Sequence, residues 1–284
     1  MEIKIIDTGF FYADGGAMFG AVPKTAWSRR YPSDEANGCI LAMRSVLIRT
    51  DDGKLILVDN GCGDKHLRLL SYYRFFQLID LSEALRKMNI QPEEVTDMVL
   101  THLHFDHCGY TTQKETNADT LRLSFPNARH WVSQKQWENF LRPNALEKDS
   151  YFRENMRAVE EAHLLNLIDS DTSLCEGVEL RLFDGHTPGQ IAPYITTPER
   201  TFVFAGDVIP LAASVSPEWI SAYDTYPVIS YQEKMKMLTE SAHENQAIIY
   251  CHDAYTPCTT IKQVNHFFKK NSEIKLEIFN PLIQ

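Results

Sequence analysis

The six residues His102-Leu103-His104-Phe105-Asp106-His107 carry three imidazoles and one carboxylate. These side chains hold borderline-soft dications such as zinc. In an extended stretch alternate side chains share a face, so His102 and His104 can reach one metal together. Asp106 and His107 follow where the chain should turn, which would aim them at a second metal. A solvated polar loop is the competing reading, and the remaining histidines decide between the two. His186 sits in Asp184-Gly185-His186-Thr187-Pro188-Gly189-Gln190, a tight turn after a strand-like run. Asp207 closes Phe202-Val203-Phe204-Ala205-Gly206-Asp207, and His252 follows Ala247–Tyr250 in Cys251-His252-Asp253-Ala254. Each lies where a strand should give way to a loop, the usual position of functional groups on an α/β scaffold. One such residue would ordinarily be a cap or turn former. Four sites that supply five histidines and two aspartates are hard to explain that way.

The elements that must position these groups are legible as apolar runs. Strands are expected at Glu2–Thr8, Cys39–Arg49, Lys54–Asp59, Asp97–Thr101, Ala128–Val132, Val178–Phe183, Ile191–Thr196, Thr201–Ala205 and Ala247–Tyr250. Helical patterns fall near Asp64–Met88, Ser133–Phe140, Tyr151–Leu167 and Ser230–His243. Strands mixed with helices throughout imply a layered α/β or α+β architecture. No linker rich in Gly, Pro or Ser and no repeat interrupts the chain, so residues 1–284 are expected to form a single domain. Three segments break the alternation. The stretch 12–38 is turn-rich yet carries Met18, Phe19 and Trp27, as a cover over a pocket or a dimer arm would. The loop 210–228 carries Trp219, Tyr223 and Tyr226. The third is a helical insert at 134–167, interrupted at Arg142-Pro143-Asn144.

Composition narrows the function classes. The chain has 284 residues, 44% hydrophobic and 23% charged, as a globular protein has. Its net charge of −10 and lack of a Lys/Arg cluster argue against a nucleic-acid partner. No apolar run is long enough to span a bilayer and the start lacks a secretory pattern, so cytoplasmic residence is expected. The six cysteines show no C-x-x-C spacing and read as free thiols, with Cys108 and Cys251 as small buried filler. Ser28-Arg29-Arg30 reads as a solvated turn, and Met235, Met237 and Leu238 as core.

The succession H-x-H-x-D-H, G-H-T-P-G, A-G-D and a strand ending in H-D-A resembles the metallo-β-lactamase fold hydrolases, from about residue 55 to 255. Val58-Asp59-Asn60-Gly61 is similar to the family's early strand ending in Asp-x-Gly. The resemblance implies an α+β fold: a four-layer α/β/β/α sandwich of two mixed sheets with helices on the outer faces. It implies two Zn2+ per chain, with Fe, Mn or Co as other occupants. His102, His104 and His186 would hold one ion, Asp106, His107 and His252 the other, and Asp207 would bridge both. Asp59 and Thr101 would orient a ligand imidazole. A hydroxide shared by the two ions would attack an ester carbonyl, with Asp106 and Asp207 able to steer or carry a proton.

Departures within the family narrow the choice. There is no cysteine ligand of the zinc β-lactamase type, no Glu in place of His104 as in the diiron relatives, no basic RNA exosite, and only about 30 residues after His252 for a glyoxalase II helical domain. What remains looks like the N-acyl homoserine lactonases and related organophosphate and ester hydrolases. Met18, Phe19, Trp27, Trp219, Tyr223 and Tyr226 would line the pocket. The expected substrate is an acyl lactone or ester, and a homodimer through the 12–38 segment is conceivable. Pro210 stands where many lactonases carry a Tyr, three residues after the bridging Asp. The alternatives are an organophosphate triesterase or aryl esterase with the same dizinc site, and a non-catalytic member that only binds a ligand.

Overall fold

A computed structural model describes residues 1–115 and 120–279. Its contacts divide the chain into two compact units. The first comprises Met1–Phe11, Met43–Asp169 and the chain from Leu276; the second comprises Tyr12–Ala42 and Ser170–Lys275. The units are interleaved, and two of the boundaries fall inside the strands Glu2–Asp14 and Gly38–Arg49. At those two places no loop composition marks the crossing, so the sequence shows no linker there.

In the first unit a seven-stranded mixed sheet runs Glu277–Phe279, Glu2–Asp14, Gly38–Arg49, Leu55–Val58, Asp97–Val99, Arg129–Ser133, Leu165–Ile168. The last four are mutually parallel, with Val58 opposite Val99 and Val99 opposite Trp131. Leu55–Val58 and Asp97–Val99 are buried at every position, the first a continuous apolar run as parallel strands favour, the second with Asp97 accepting from Trp131 Nε1 at 2.8 Å. Because Val58 and Val99 are partners, Asp59 and Thr101 leave the sheet from adjacent strand ends. Helices Leu81–Lys87 and Gln134–Leu141 lay Leu81, Leu85, Trp137 and Phe140 into the core that holds Leu57, Met98 and Val132.

The second unit has its own seven-stranded sheet, in the order Phe267–Glu273, Cys258–Val264, Ala247–Ile249, Thr201–Phe204, Gln190–Thr196, Val178–Phe183, Thr172–Cys175. Only Thr201–Phe204 and Ala247–Ile249 pair in parallel, with Phe204 opposite Ile249. A parallel pair needs a crossover. Here the loop after Phe204 and the helix Pro227–His243 provide it, and Met237 and Leu238 from that helix pack on Val203 and Ile248. The Met235/Met237/Leu238 stripe is therefore core. Asp207 and His252 follow neighbouring strand ends of this pair.

Two helical expectations are not met. Between 64 and 88 the only α-helix is Leu81–Lys87, preceded by one 3-10 turn at Ser71–Tyr73. Arg74 and Gln77 adopt φ of 48° and 49°, which stops a helix, and Phe76 instead forms a bridge with Phe10. In the stretch expected as helix from 151 to 167, the α-helix is confined to Arg157–Glu161, and Leu165–Ile168 is a strand. His163, at φ 56°, reverses the chain between them. The hairpin Cys258–Val264 with Phe267–Glu273 was not legible because its outer strand is polar and exposed, as sheet edges tend to be. Among the described residues no helix is long and apolar enough to cross a membrane.

Candidate metal centre

In the first unit the H-x-H-x-D-H run gathers its three imidazoles. Leu103 is fully buried in the core, while His102 and His104 on either side of it bring their rings to 4.5 Å between centroids. The chain then turns into the short helix Phe105–Cys108, and His107 comes to 4.0 Å from the His102 ring. The Nε2 of His107 lies 3.7 Å from an Asp106 carboxylate oxygen. Close backbone approach holds this helix down: a Cβ on Gly109 would stand 2.2 Å from the Cys62 carbonyl oxygen. Asn60, buried, accepts from the Tyr110 amide at 2.9 Å and donates to Thr111 Oγ1 at 2.9 Å.

Asp59 and Thr101 meet beside His107. The Thr101 amide donates to Asp59 Oδ1 at 2.7 Å, the Thr101 hydroxyl to Oδ2 at 2.8 Å, and His107 Nδ1 lies 2.7 Å from the same Oδ2. Burial pushes the Asp59 carboxyl above its ordinary range, opposed by the His107 imidazole and the Thr101 donors. His102 places Nδ1 3.1 Å from the Thr101 hydroxyl. His104 differs: its Nε2 is 3.1 Å from Glu147, a buried carboxylate the sequence did not single out. Cys108 is fully buried and burial pushes its thiol up to about 12, which fits filler and not a thiolate ligand.

In the second unit three further ligand candidates converge. The Asp184–Gln190 turn is held by Glu233, whose carboxylate accepts the amides of Asp184 and Gly185 at 2.7 and 2.8 Å. Any Cβ at Gly185 would lie 2.4 Å from Ser230 Cα, so only glycine lets the turn rest on the helix. His186 Nδ1 is 2.9 Å from Asp224 Oδ1, and His252 Nδ1 donates to the Ala42 carbonyl at 2.8 Å. Their Nε2 atoms lie 3.2 and 3.1 Å from Asp207 Oδ2 and Oδ1 respectively. The Cys251 thiol also reaches Asp207 Oδ1, at 3.1 Å. Asp253 is structural: it accepts the amides of Ala212, Tyr255 and Thr256. Asp224 had no sequence signal beyond being an acid in the loop that follows Asp207.

The residues fit a metal. A donor set of imidazole nitrogens and carboxylate oxygens, with each ring fixed through its other nitrogen by an acceptor, is how metal-ligating histidines are oriented. The aromatic residues of the 12–38 and 210–228 segments pack within the second unit. Phe19 stacks on Trp27 at 5.0 Å and meets Trp219 edge-on at 5.9 Å. Met18, Phe19 and Trp27 are buried, on the short helices Gly15–Phe19 and Lys24–Trp27. Tyr223 and Tyr226 are 40% and 44% exposed, so neither is core. Arg30 is not simply solvated: its guanidinium lies 4.0 Å over the Trp219 ring and donates to Ser216 Oγ at 3.1 Å.

The model of the metallo-beta-lactamase superfamily matches residues 44–247, which contain six of the seven ligand candidates and all of the motif blocks but the last. The chain belongs to that superfamily. Its α+β fold, a pair of mixed sheets with helices, is the metallo-β-lactamase fold, and the family assigns it to the metal-dependent hydrolases. Similar solved structures include a probable metal-dependent hydrolase from Staphylococcus aureus, 26% identical with TM-score 0.85, covering 96% of this chain and 98% of that one. The dizinc quorum-quenching lactonase AidC is 20% identical with TM-score 0.76, covering 96% and 94%. The hydrolase AbOPH of the beta-lactamase superfamily is 20% identical with TM-score 0.77, covering 95% and 94%.

Proposed function

We propose that this protein is a dizinc hydrolase that opens the ester bond of an acylated lactone. The observation that carries the reading is the Asp207 carboxylate, with a histidine Nε2 at 3.2 Å from one oxygen and another at 3.1 Å from the second. A carboxylate so placed would suit a ligand shared by two ions. In this reading His102, His104 and His186 would hold one ion, Asp106, His107 and His252 the other, and Asp207 would be shared. Such a pair supplies a water activated at neutral pH and an electrophile for the ester carbonyl.

The chain's own residues do the rest. Asp59 and Asp224 hold His107 and His186 with Nδ1 protonated, which directs each Nε2 lone pair inward. Asp106, which would keep one carboxylate oxygen uncommitted, can take a proton from the attacking water and return it to the leaving alkoxide. The packed Phe19, Trp27 and Trp219 rings stiffen the apolar segments, and Tyr223 and Tyr226 are the exposed side chains of that group, which a substrate would meet. The names of AidC and of the other lactonases describe those proteins; what supports their substrate here is the full donor set together with this apolar region.

Ring opening releases a proton from the new acid, so zinc-loaded protein with long-chain acyl homoserine lactone should acidify a weakly buffered solution. Intact lactone after long incubation retires the substrate. A phosphotriester or aryl ester in the same site is the second reading, favoured by Pro210 in the position of the lactonase Tyr. The Pro210 carbonyl accepts the His252 amide at 3.1 Å, which gives the residue a structural duty. Relative turnover of lactone and phosphotriester separates the two.

A further inference from the structure

Glu147 is 4% exposed although its neighbour Leu146 is 84% exposed, in the segment that joins helix Gln134–Leu141 to the 3-10 turn Lys148–Ser150. A carboxylate withdrawn from water costs several kcal/mol unless its oxygens are well bonded. Here they are. Asn139 and Asn144 donate to Oε1 at 2.8 and 2.6 Å, and the Tyr151 hydroxyl lies 2.9 Å from Oε2. Oε2 also lies 3.1 Å from His104 Nε2. The same network returns to the motif by a second route. The Tyr151 hydroxyl also lies 3.0 Å from Gln136 Oε1, which accepts the amide of Leu103, so its one proton is shared between the two acceptors, and the Tyr151 ring lies 4.8 Å from that of His104.

We infer that Glu147 is the positioning residue of His104, and that it fixes which ring nitrogen this histidine offers to a metal. The inference rests on the proposed reading of His104 as a ligand. His102, His107, His186 and His252 all place Nδ1 against an outer partner, so each would bind through Nε2. His104 is reversed. With Nε2–H directed to Glu147, the nitrogen that can take a metal is Nδ1. The ring orientation comes from the helical insert, which is thereby part of the metal site. The negative charge also makes the imidazole a stronger donor, as carboxylate partners of ligating histidines do.

Two substitutions test this on the full-length protein, with Glu147→Ala removing both acceptor oxygens and Glu147→Gln keeping the shape while removing the charge and one of the two acceptors. Chelator competition should show metal affinity about 10–100-fold weaker in Glu147→Ala, with Glu147→Gln between it and wild type. The visible spectrum of the Co2+-substituted protein should change in both variants, because neither keeps an acceptor on each side, with the larger change in Glu147→Ala. A merely structural role would lower the urea midpoint of metal-free protein and leave that spectrum alone. If Glu147→Ala does not fold, Glu147→Gln carries the test through its weakened affinity. Folded variants that match wild type in affinity and spectrum overturn the role of Glu147. Wild-type protein that takes up no metal overturns the underlying metal reading as well.

Discussion

Replacing Asp59 by Asn separates the work of a buried carboxylate from mere shape. Asp59 accepts three hydrogen bonds: from the Thr101 amide, the Thr101 hydroxyl and His107 Nδ1. Asparagine offers one acceptor oxygen and one NH2 group. With its oxygen on the Thr101 amide, its NH2 faces the hydroxyl, which can rotate to accept, and His107 Nδ1, which cannot accept while it is protonated. The cheapest relief moves the His107 proton to Nε2, and the fold then keeps its hydrogen bonds. Burial already disfavours the Asp59 charge, so losing it offsets part of any cost. Metal-free Asp59→Asn should therefore unfold within about 1 kcal/mol of wild type. Metal binding should suffer far more, because a protonated Nε2 has no lone pair to give. The expected loss is about 10–100-fold in affinity, or about 1.4–2.7 kcal/mol. Asp59→Ala strands three buried donors and should destabilise the metal-free protein by roughly 3 kcal/mol or more. Chelator competition gives the affinity, urea titration the stability, and 15N chemical shifts the tautomer. Wild-type affinity in a folded Asp59→Asn protein with His107 on Nε2–H would refute the reasoning.

Other outcomes follow from single observations. His130 is fully buried, and burial lowers its imidazole from the ordinary 6.5 to about 4. As pH falls from 6.5 to 4 the unfolded chain gains this proton first, so about 3 kcal/mol of stability is lost across that window. His130→Leu should flatten that part of the pH profile in urea titrations; an unchanged slope would assign it elsewhere. Trp27→Ala removes a buried ring stacked on Phe19 and should cost about 3–5 kcal/mol of unfolding free energy. A loss below 1 kcal/mol would mean the 12–38 segment contributes little packing. Zinc at a hundredfold over its dissociation constant should add about 2.7 kcal/mol of stability that a chelator removes. Identical melting with and without chelator would count against a metal centre.

The ligand candidates were legible in the sequence because each side chain sits at the end of an apolar run, and strand ends are readable from local pattern. Asp59 and Thr101 were legible only through the family resemblance, although each follows a short buried strand, Leu55–Val58 and Asp97–Val99. The aromatic load of 12–38 was visible too, but not the two short helices that carry it. Glu147 and Asp224 were not visible. An acid in a polar loop looks solvated until the fold closes around it, and both contacts join residues 38 or more apart. The helical pattern over 64–88 failed where Arg74 and Gln77 take left-handed backbone, a choice imposed by the bridge from Phe10 to Phe76. Local sequence determined which donors exist and where strands deliver them. Tertiary structure decided which nitrogen each ring presents, because that depends on an acceptor supplied by a distant part of the chain.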